Sequence, residues 1–234
     1  MGEMQSPSEQ VIHYTIRRAE HPPDLTSGWD SDPWRRGDVL AVTHFHAQSG
    51  THRPITRTRV LYDDKGLSLF FHVIDRYVRC LWTRYQDPVC EDSCVEFFVQ
   101  PKPDRGFFNF EMNCGGTLMV SYSTADGSDW SRNRTVASVP FELGRQVKIH
   151  HTLPARVEPE LTEPTLWELS CFIPFSLLEH YVGPLGKLHG QCWRANFFKC
   201  GDHTSHPHWA AWSPIGPELD FHQPRYFGTV IFEG

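Results

Sequence analysis

The stretch CEDSCVEFFVQP, residues 90–101, sets a carboxylate, Glu96, inside a run that otherwise reads as a sheet strand. Val95, Phe97 and Val99 alternate as one face of a half-buried strand, so Glu96 shares the opposite face with Cys94 and Phe98. Two further runs have the same character. In FFNFEMN, Phe108, Phe110 and Met112 alternate with Asn109, Glu111 and Asn113. In WRANFF, Trp193, Ala195 and Phe197 alternate with Arg194, Asn196 and Phe198. The second faces of the three runs offer Glu96, Asn109, Glu111, Asn113, Arg194 and Asn196. Such a face is either an ordinary solvated sheet surface or a binding surface. Solvated faces are usually built from Lys, Thr and Ser, whereas carboxylates, amides and a guanidinium are bidentate partners for vicinal hydroxyls. That chemistry suits a neutral, hydroxyl-rich ligand, given an aromatic platform for its C–H face.

Other constellations compete with that reading. Glu96 and Glu111 on neighbouring strands have the residue types of a glycosidase carboxylate pair, or of a plain hydrogen-bond network. In GDHTSHPHW, Asp202, His203, His206 and His208 fall within seven residues, and such ligands suit a transition metal. Their spacing is not that of a helical metal site and Pro207 interrupts it, so the expectation is a loop without metal. THFHAQSGTH is the same case. Calcium would need clustered oxygen ligands; YDD and EDS supply carboxylates, but Asp63 and Asp64 sit where a hairpin turn uses Asp by default. Cys114, before two glycines in NCGGT, has no His motif beside it and reads as a buried turn cysteine. No GxSxG, HExxH or phosphate-cradling loop is present. The sequon at Asn133 carries meaning only on a secreted chain. Trp209 and Trp212, at strand spacing that points them to different faces, are expected as core and rim respectively.

The elements that must position these residues are short apolar runs separated by Gly, Pro and Asp. TRTRVLYDD and GLSLFFHVID form two strands around a tight Asp-Asp-Lys-Gly turn. SCVEFFVQP, GFFNFEMNCGG, GTLMVSYS, QVKIHHTLP, LWELSCFIPF, CWRANFFKCG and RYFGTVIFEG follow, each rich in β-branched and aromatic residues. Only FSLLEHYVG, after Pro174, reads as a helix. Nine or so strands predict an all-β fold, an antiparallel β-sandwich, with Val95, Phe97, Phe110, Trp167, Leu169, Phe197 and Ile231 in the core. The 234 residues suit one domain, with residues 1–10 as a loose N-terminal extension. A composition 39% hydrophobic and 13% aromatic excludes a disordered chain. A net charge of −6 with no basic run argues against nucleic acid, and no apolar stretch is long enough for a membrane span. The N-terminus shows no apolar signal-peptide core. Seven cysteines, an odd number with no CxxC pair, mostly inside apolar runs, read as reduced core residues and point towards a reducing, cytoplasmic compartment.

EDSCVEFFVQP, GFFNFEMNCGGT, WRANFFKCG and HWAAWSPIGPELDFHQPRYFGTVIF, in that order, resemble the carbohydrate-binding module family 9-like domains. DPWRRG and RPITRTRVLYDDKGLSLFFHVID resemble the opening of that family, so the similarity runs from about residue 30 to residue 232. The resemblance implies a sandwich of the DOMON-like kind that binds sugars, often with structural calcium. It also implies a separate glycoside-acting enzyme as partner, since such modules usually ride on a catalytic domain. It places Glu96 in the sugar site and makes Phe221, in DFHQPRYFG, the stacking aromatic. Family members that bind sugar ends pair this aromatic with a Trp just before the acidic strand. Here QDPVCEDS puts Val89 or Cys90 at that position, leaving Trp82 or Tyr85 in LWTRYQD as a second ring, or as packing. Three readings follow: a sugar-binding module, a glycan hydrolase using Glu96 and Glu111, and a structural or interaction domain that kept only the fold.

Overall fold

The hairpin around Asp63 forms as the pattern requires. Strands β4 (Ile55–Tyr62) and β5 (Gly66–Asp75) pair antiparallel, and the Asp63 carboxylate closes the turn by accepting the amides of Lys65 and Gly66 at 2.7 and 3.0 Å. The structure, a computed structural model, describes residues 12–125, 130 and 133–234. The expected loose segment 1–10 lies outside them.

Two sheets stack with their apolar faces together. One runs β10 (Arg134–Ser138), β9 (Leu118–Ala125), β8 (Phe107–Asn113), β7 (Cys94–Gln100), β14 (Cys192–Cys200) and β16 (Gly228–Phe232). The other runs β4, β5, β13 (Thr165–Pro174) and β11 (Lys148–His151), with β2 (Leu40–Val42) paired to β4. Short pieces complete the set. β15 (Trp209–Ala211) pairs with the end of β14 and with β3 (His44–Phe45), and β6 (Val78–Cys80) pairs with β12 (Val157–Leu161). Helices are few: α1 (Phe141–Gly144) and α2 (Phe175–Val182), the latter in the expected FSLLEHYVG segment. No helix among the described residues is long and apolar enough to cross a membrane.

The antiparallel expectation fails at one strand. β1 (His13–Arg18) pairs parallel with β16 through His13–Ile16 and parallel with β4 through Arg17–Arg18, so it steps from one sheet to the other and joins them. Neither pairing is a hairpin. Both join segments far apart in sequence, which turn residues cannot announce.

The shared core holds Val95, Phe97, Phe110, Trp167, Leu169 and Phe197 as expected. Ile231 is a correction: it is only half-buried, because Val230 and Phe232 are the inward pair of β16 and Ile231 falls on the alternate face. Trp209 and Trp212 are likewise exchanged. Trp212 packs in the core against Phe197, with ring centroids 5.7 Å apart, while Trp209 is the half-exposed residue. The five cysteines Cys80, Cys94, Cys114, Cys171 and Cys200 are buried free thiols, Cys90 is half-buried and Cys192 exposed.

Candidate functional site

The alternation in β7, β8 and β14 sets the site. With Phe97, Phe110 and Phe197 inward, Glu96, Glu111, Phe198 and Cys200 must face outward, and ladder register brings them together. Glu96 lies opposite Glu111 on β8 and opposite Phe198 on β14, while Cys94 lies opposite Cys200. This outer face is not open to water, because the chain returns over it after β14. Phe221 stacks on Phe198, rings 4.0 Å apart and 12° from parallel, and Phe227 packs edge-on against Phe98 and Phe107. Half of the face is thereby sealed as a second apolar cluster. The other half opens as a cleft of about 330 Å³.

Glu96, Glu111 and Cys200 form the base of this cleft, and each carboxyl is only 2% exposed. Its walls carry two rings, Phe221 and Trp209, with Met119 from β9, and its mouth carries Asp202, Asp220 and His222. Hydrogen bonds fix most of these groups. The Trp209 indole N–H donates to Asp202 Oδ1 at 2.7 Å, and the Asp202 amide donates to the Cys90 carbonyl at 3.0 Å. Asp220 accepts the His222 amide at 2.9 Å and lies 3.2 Å from its Nδ1. That partner holds the Asp220 carboxyl down at about 2. Asn109 donates to Glu111 Oε1 at 2.7 Å, and the Ser121 hydroxyl donates in turn to Asn109.

Burial dominates the charge state of the base. It pushes Glu111 up to about 7 against the opposing hydrogen bond from Asn109. Glu96 is raised well above the usual carboxylate range by burial, then by Glu111 facing it, while the thiol of Cys200 donates to its Oε1 at 3.0 Å. Two carboxyls side by side in a site of low dielectric do not both ionise readily. The base therefore offers acceptors and a shared proton, which are the groups a polyhydroxylated ligand can use in either sense.

The structure gathers only part of the residue set proposed from sequence. Glu96, Glu111 and Phe221 line the cleft, and Asn109 stands behind Glu111 as its support. The remainder lie elsewhere. Asn113 is fully buried and donates to the Trp82 carbonyl and to Asp92, holding the 82–92 segment in place. Asn196 bridges to the backbone of Ser213, with both polar atoms engaged at 2.9 Å. Arg194 is exposed and donates to the Phe227 carbonyl, away from Glu96. Trp82 packs behind the cleft with its indole N–H on Glu91 at 3.0 Å, and Tyr85 turns its hydroxyl to the Val139 carbonyl at 2.7 Å. The second ring of the cleft is Trp209, and Cys90 lines its wall. The sequence reading weighs Asp202 only as a metal ligand, expects Trp209 in the core and does not single out Asp220, since loops and a three-residue strand have too little period to reveal their facing.

The side chains of the two histidine-rich segments engage different partners, although His52 of one comes within 5.2 Å, ring to ring, of His208 of the other. His206 stacks on Tyr77 at 3.5 Å, His203 lies 3.2 Å from Glu91, and His208 turns inward to Lys199 at 2.8 Å. The residues considered for calcium do not fit it either. Asp63 closes its turn, Asp64 pairs with Arg18 at 2.5 Å, and Asp92 accepts three N–H donors, from Leu81, Trp82 and Asn113. Asp63 Oδ2 and Asp92 Oδ1 accept no hydrogen bond, the latter with Arg79 3.5 Å away, but among the described residues neither carboxylate joins two further acidic, His or Cys ligands in a cluster.

Comparison with known proteins completes the picture. A family model described as carbohydrate-binding family 9 matches residues 37–232. The fold is similar to that of a candidate carbohydrate-binding protein from Bacteroides uniformis, at 27% identity and TM-score 0.81, over 94% of this chain and 99% of that one. It is also similar to a family 9 module from Caldicellulosiruptor kristjanssonii. In complex with cellotriose that module gives TM-score 0.63 at 13% identity, over 95% of this chain and 94% of that one. In complex with glucose it gives 0.59 at 12%, over 95% and 96%. At these identities the second likeness speaks for the fold alone. No curated protein matches the sequence.

Proposed function

The chain belongs to carbohydrate-binding family 9, and from that premise we propose that the cleft over Glu96 and Glu111 is where it takes the end of a carbohydrate. One observation carries the reading: two buried carboxyls lie at the base of a cleft whose walls are the rings of Phe221 and Trp209. A sugar presents the same division, with hydroxyls around its edge and C–H groups on its face. Edge hydroxyls would meet Glu96, Glu111 and Asp202, and a C–H face would lie against Phe221 or Trp209. The volume of about 330 Å³ is at the small end for ligand pockets, which favours a chain end over a long glycan laid across an open sheet. Net gains of about 1 kcal/mol per neutral hydrogen bond put such a site in the micromolar-to-millimolar range.

Both sheets share one cluster of buried side chains, which supports reading the chain as one domain. The same reading extends to a separate glycoside-acting enzyme as working partner, testable as faster release of sugar from an insoluble glycan when this protein is added.

A glycan array probed with the purified protein is the first test, with glucose and cello-oligosaccharides included because the C. kristjanssonii module is solved with them. Saturable binding that Glu96→Gln weakens at least tenfold, without loss of melting temperature, is the expected result. Binding indifferent to that substitution would move the site elsewhere. Cleavage of the hit by the parent, lost in Glu96→Gln with binding kept, would make the protein a hydrolase.

A further inference from the structure

We propose that Cys94, Cys200 and Glu96 form a site for one thiophilic divalent cation of the zinc class at the base of the cleft. The proposal goes beyond carbohydrate binding and does not depend on it.

The backbone supplies the first argument. Cys94 and Cys200 are direct cross-strand partners in the β7–β14 ladder, and Glu96, two residues beyond Cys94, projects from the same face. Rigid central strands therefore hold all three ligands. The two sulfurs and a carboxylate oxygen lie within 4.8 Å of one another, with Cys200 Sγ 3.0 Å from Glu96 Oε1. A tetrahedral zinc, with bonds of about 2.3 Å to sulfur and 2.0 Å to oxygen, holds its ligands roughly 3.5–3.8 Å apart. Side-chain shifts of up to about 1 Å reach that spacing from the present geometry. Three protein ligands leave a fourth position, and the cleft supplies it for water.

Charge balance is the second argument. The cleft is lined by Glu96, Glu111, Asp202 and Asp220; among the described residues no Lys or Arg lines it, though Arg134 lies 3.7 Å from Asp220. Lys199, the nearest buried cation in sequence, points to the opposite face and is committed to Asp75 at 3.1 Å and to His208. Buried carboxylates are normally matched by a cation or a metal. Two thiolates and one carboxylate against a divalent ion leave a net charge of −1, no more than an ionised Glu96 carries beside two neutral thiols; the two displaced thiol protons go to solvent and the proton shared by the carboxyl pair stays on Glu111. Sulfur donors select zinc over the hard cations calcium and magnesium.

The other cysteine pair serves as an internal contrast. Cys80 donates to the Ala155 carbonyl at 3.2 Å and Cys114 to the Arg79 carbonyl at 3.6 Å, and among the described residues no third ligand joins them.

The test uses the full chain with Cys192→Ser to remove the exposed thiol, freed of metal and titrated with Co2+ in the absence of any sugar. The expected result is a thiolate-to-cobalt charge-transfer band, with visible bands of a tetrahedral ion, saturating at one equivalent and bleached by Zn2+. The double variant Cys94→Ser, Cys200→Ser should lose the band, Glu96→Gln should weaken Co2+ binding at least tenfold, and Cys80→Ser, Cys114→Ser should keep it. Absence of the band in the parent, or its survival in Cys94→Ser, Cys200→Ser, would overturn the proposal. Should that double variant fail to fold, X-ray absorption at the zinc edge of the loaded parent decides. Two sulfur and two oxygen or nitrogen neighbours support the site; a shell without sulfur, or with four, refutes it. Because no sugar is present, either result leaves the carbohydrate reading to its own test.

Discussion

Glu111 is an acid whose surroundings work against its charge. Its carboxyl is raised to about 7 by burial, so between roughly pH 4.5 and 7 the native state holds a proton that the unfolded chain has already lost. Stability from this group is therefore full at acid pH and declines as pH rises through that window, by on the order of 3 kcal/mol. In metal-free protein, Glu111→Gln should raise the melting temperature by several degrees at pH 8 and change it little at pH 4; an equal shift at both would contradict the assigned cause. A second buried charge behaves in the opposite way. Lys199 and Asp75 are fully enclosed and 3.1 Å apart, with His52 2.7 Å from the same carboxylate. Burial works against ionisation of Asp75, but Lys199 and then His52 outweigh it and hold the carboxyl well below the usual range. Lys199→Met should cost about 3–5 kcal/mol, because it leaves Asp75 buried without a counter-charge. Adding Asp75→Asn should recover part of that loss in denaturant melts.

Strand β14 shows what an element's sequence tells and where it stops. Its alternation assigned Trp193, Ala195 and Phe197 to the core correctly, and the same phase puts Lys199 inward, where no apolar pattern would lead one to look. The outward set Arg194, Asn196, Phe198 and Cys200 reads as one face, yet its members meet different neighbours. β14 pairs with β16 over Cys192–Ala195 and with β15 over Phe198–Cys200, so the returning chain meets each end differently. Arg194 is thus left near the edge, Asn196 is taken by Ser213, and only the far end faces the cleft. Glu96, Glu111 and Phe221 were legible from alternation and resemblance because they sit on regular strands or in a recognisable motif. Asp202 and Trp209 were not, since their facing depends on how residues 201–227 fold back. Phe198 is the support beneath Phe221. Phe198→Ala should cost about 3–5 kcal/mol and also weaken ligand binding, since it removes the surface that holds the stacking ring flat. Unchanged binding in a folded Phe198→Ala protein would show that Phe221 needs no such support.

At the scale of the whole molecule, the two sheets are joined by β1 along one edge and by the Lys199–Asp75 pair through the middle. His208 belongs to that junction, 2.8 Å from Lys199, and burial, then the Lys199 charge, push its imidazole down to about 3. The unfolded chain binds this proton near pH 6.5 and the native state does not, so the junction loses stability as pH falls from about 6.5 to about 3, by on the order of 5 kcal/mol. This opposes the trend set by Glu111, so variants must be compared with the parent across pH. His208→Gln should flatten the acid side of the profile and leave the slope due to Glu111 intact. The central claim concerns the cleft, and it separates two sets of residues that the sequence reading assigns to one site. Calorimetric titration with the strongest glycan from the array, on Glu111→Gln and Phe221→Ala beside Arg194→Ala and Tyr85→Phe, tests it most directly. The account predicts at least tenfold weaker binding for the first pair and affinity within twofold of the parent for the second; the reverse pattern, or four equal affinities, would contradict it.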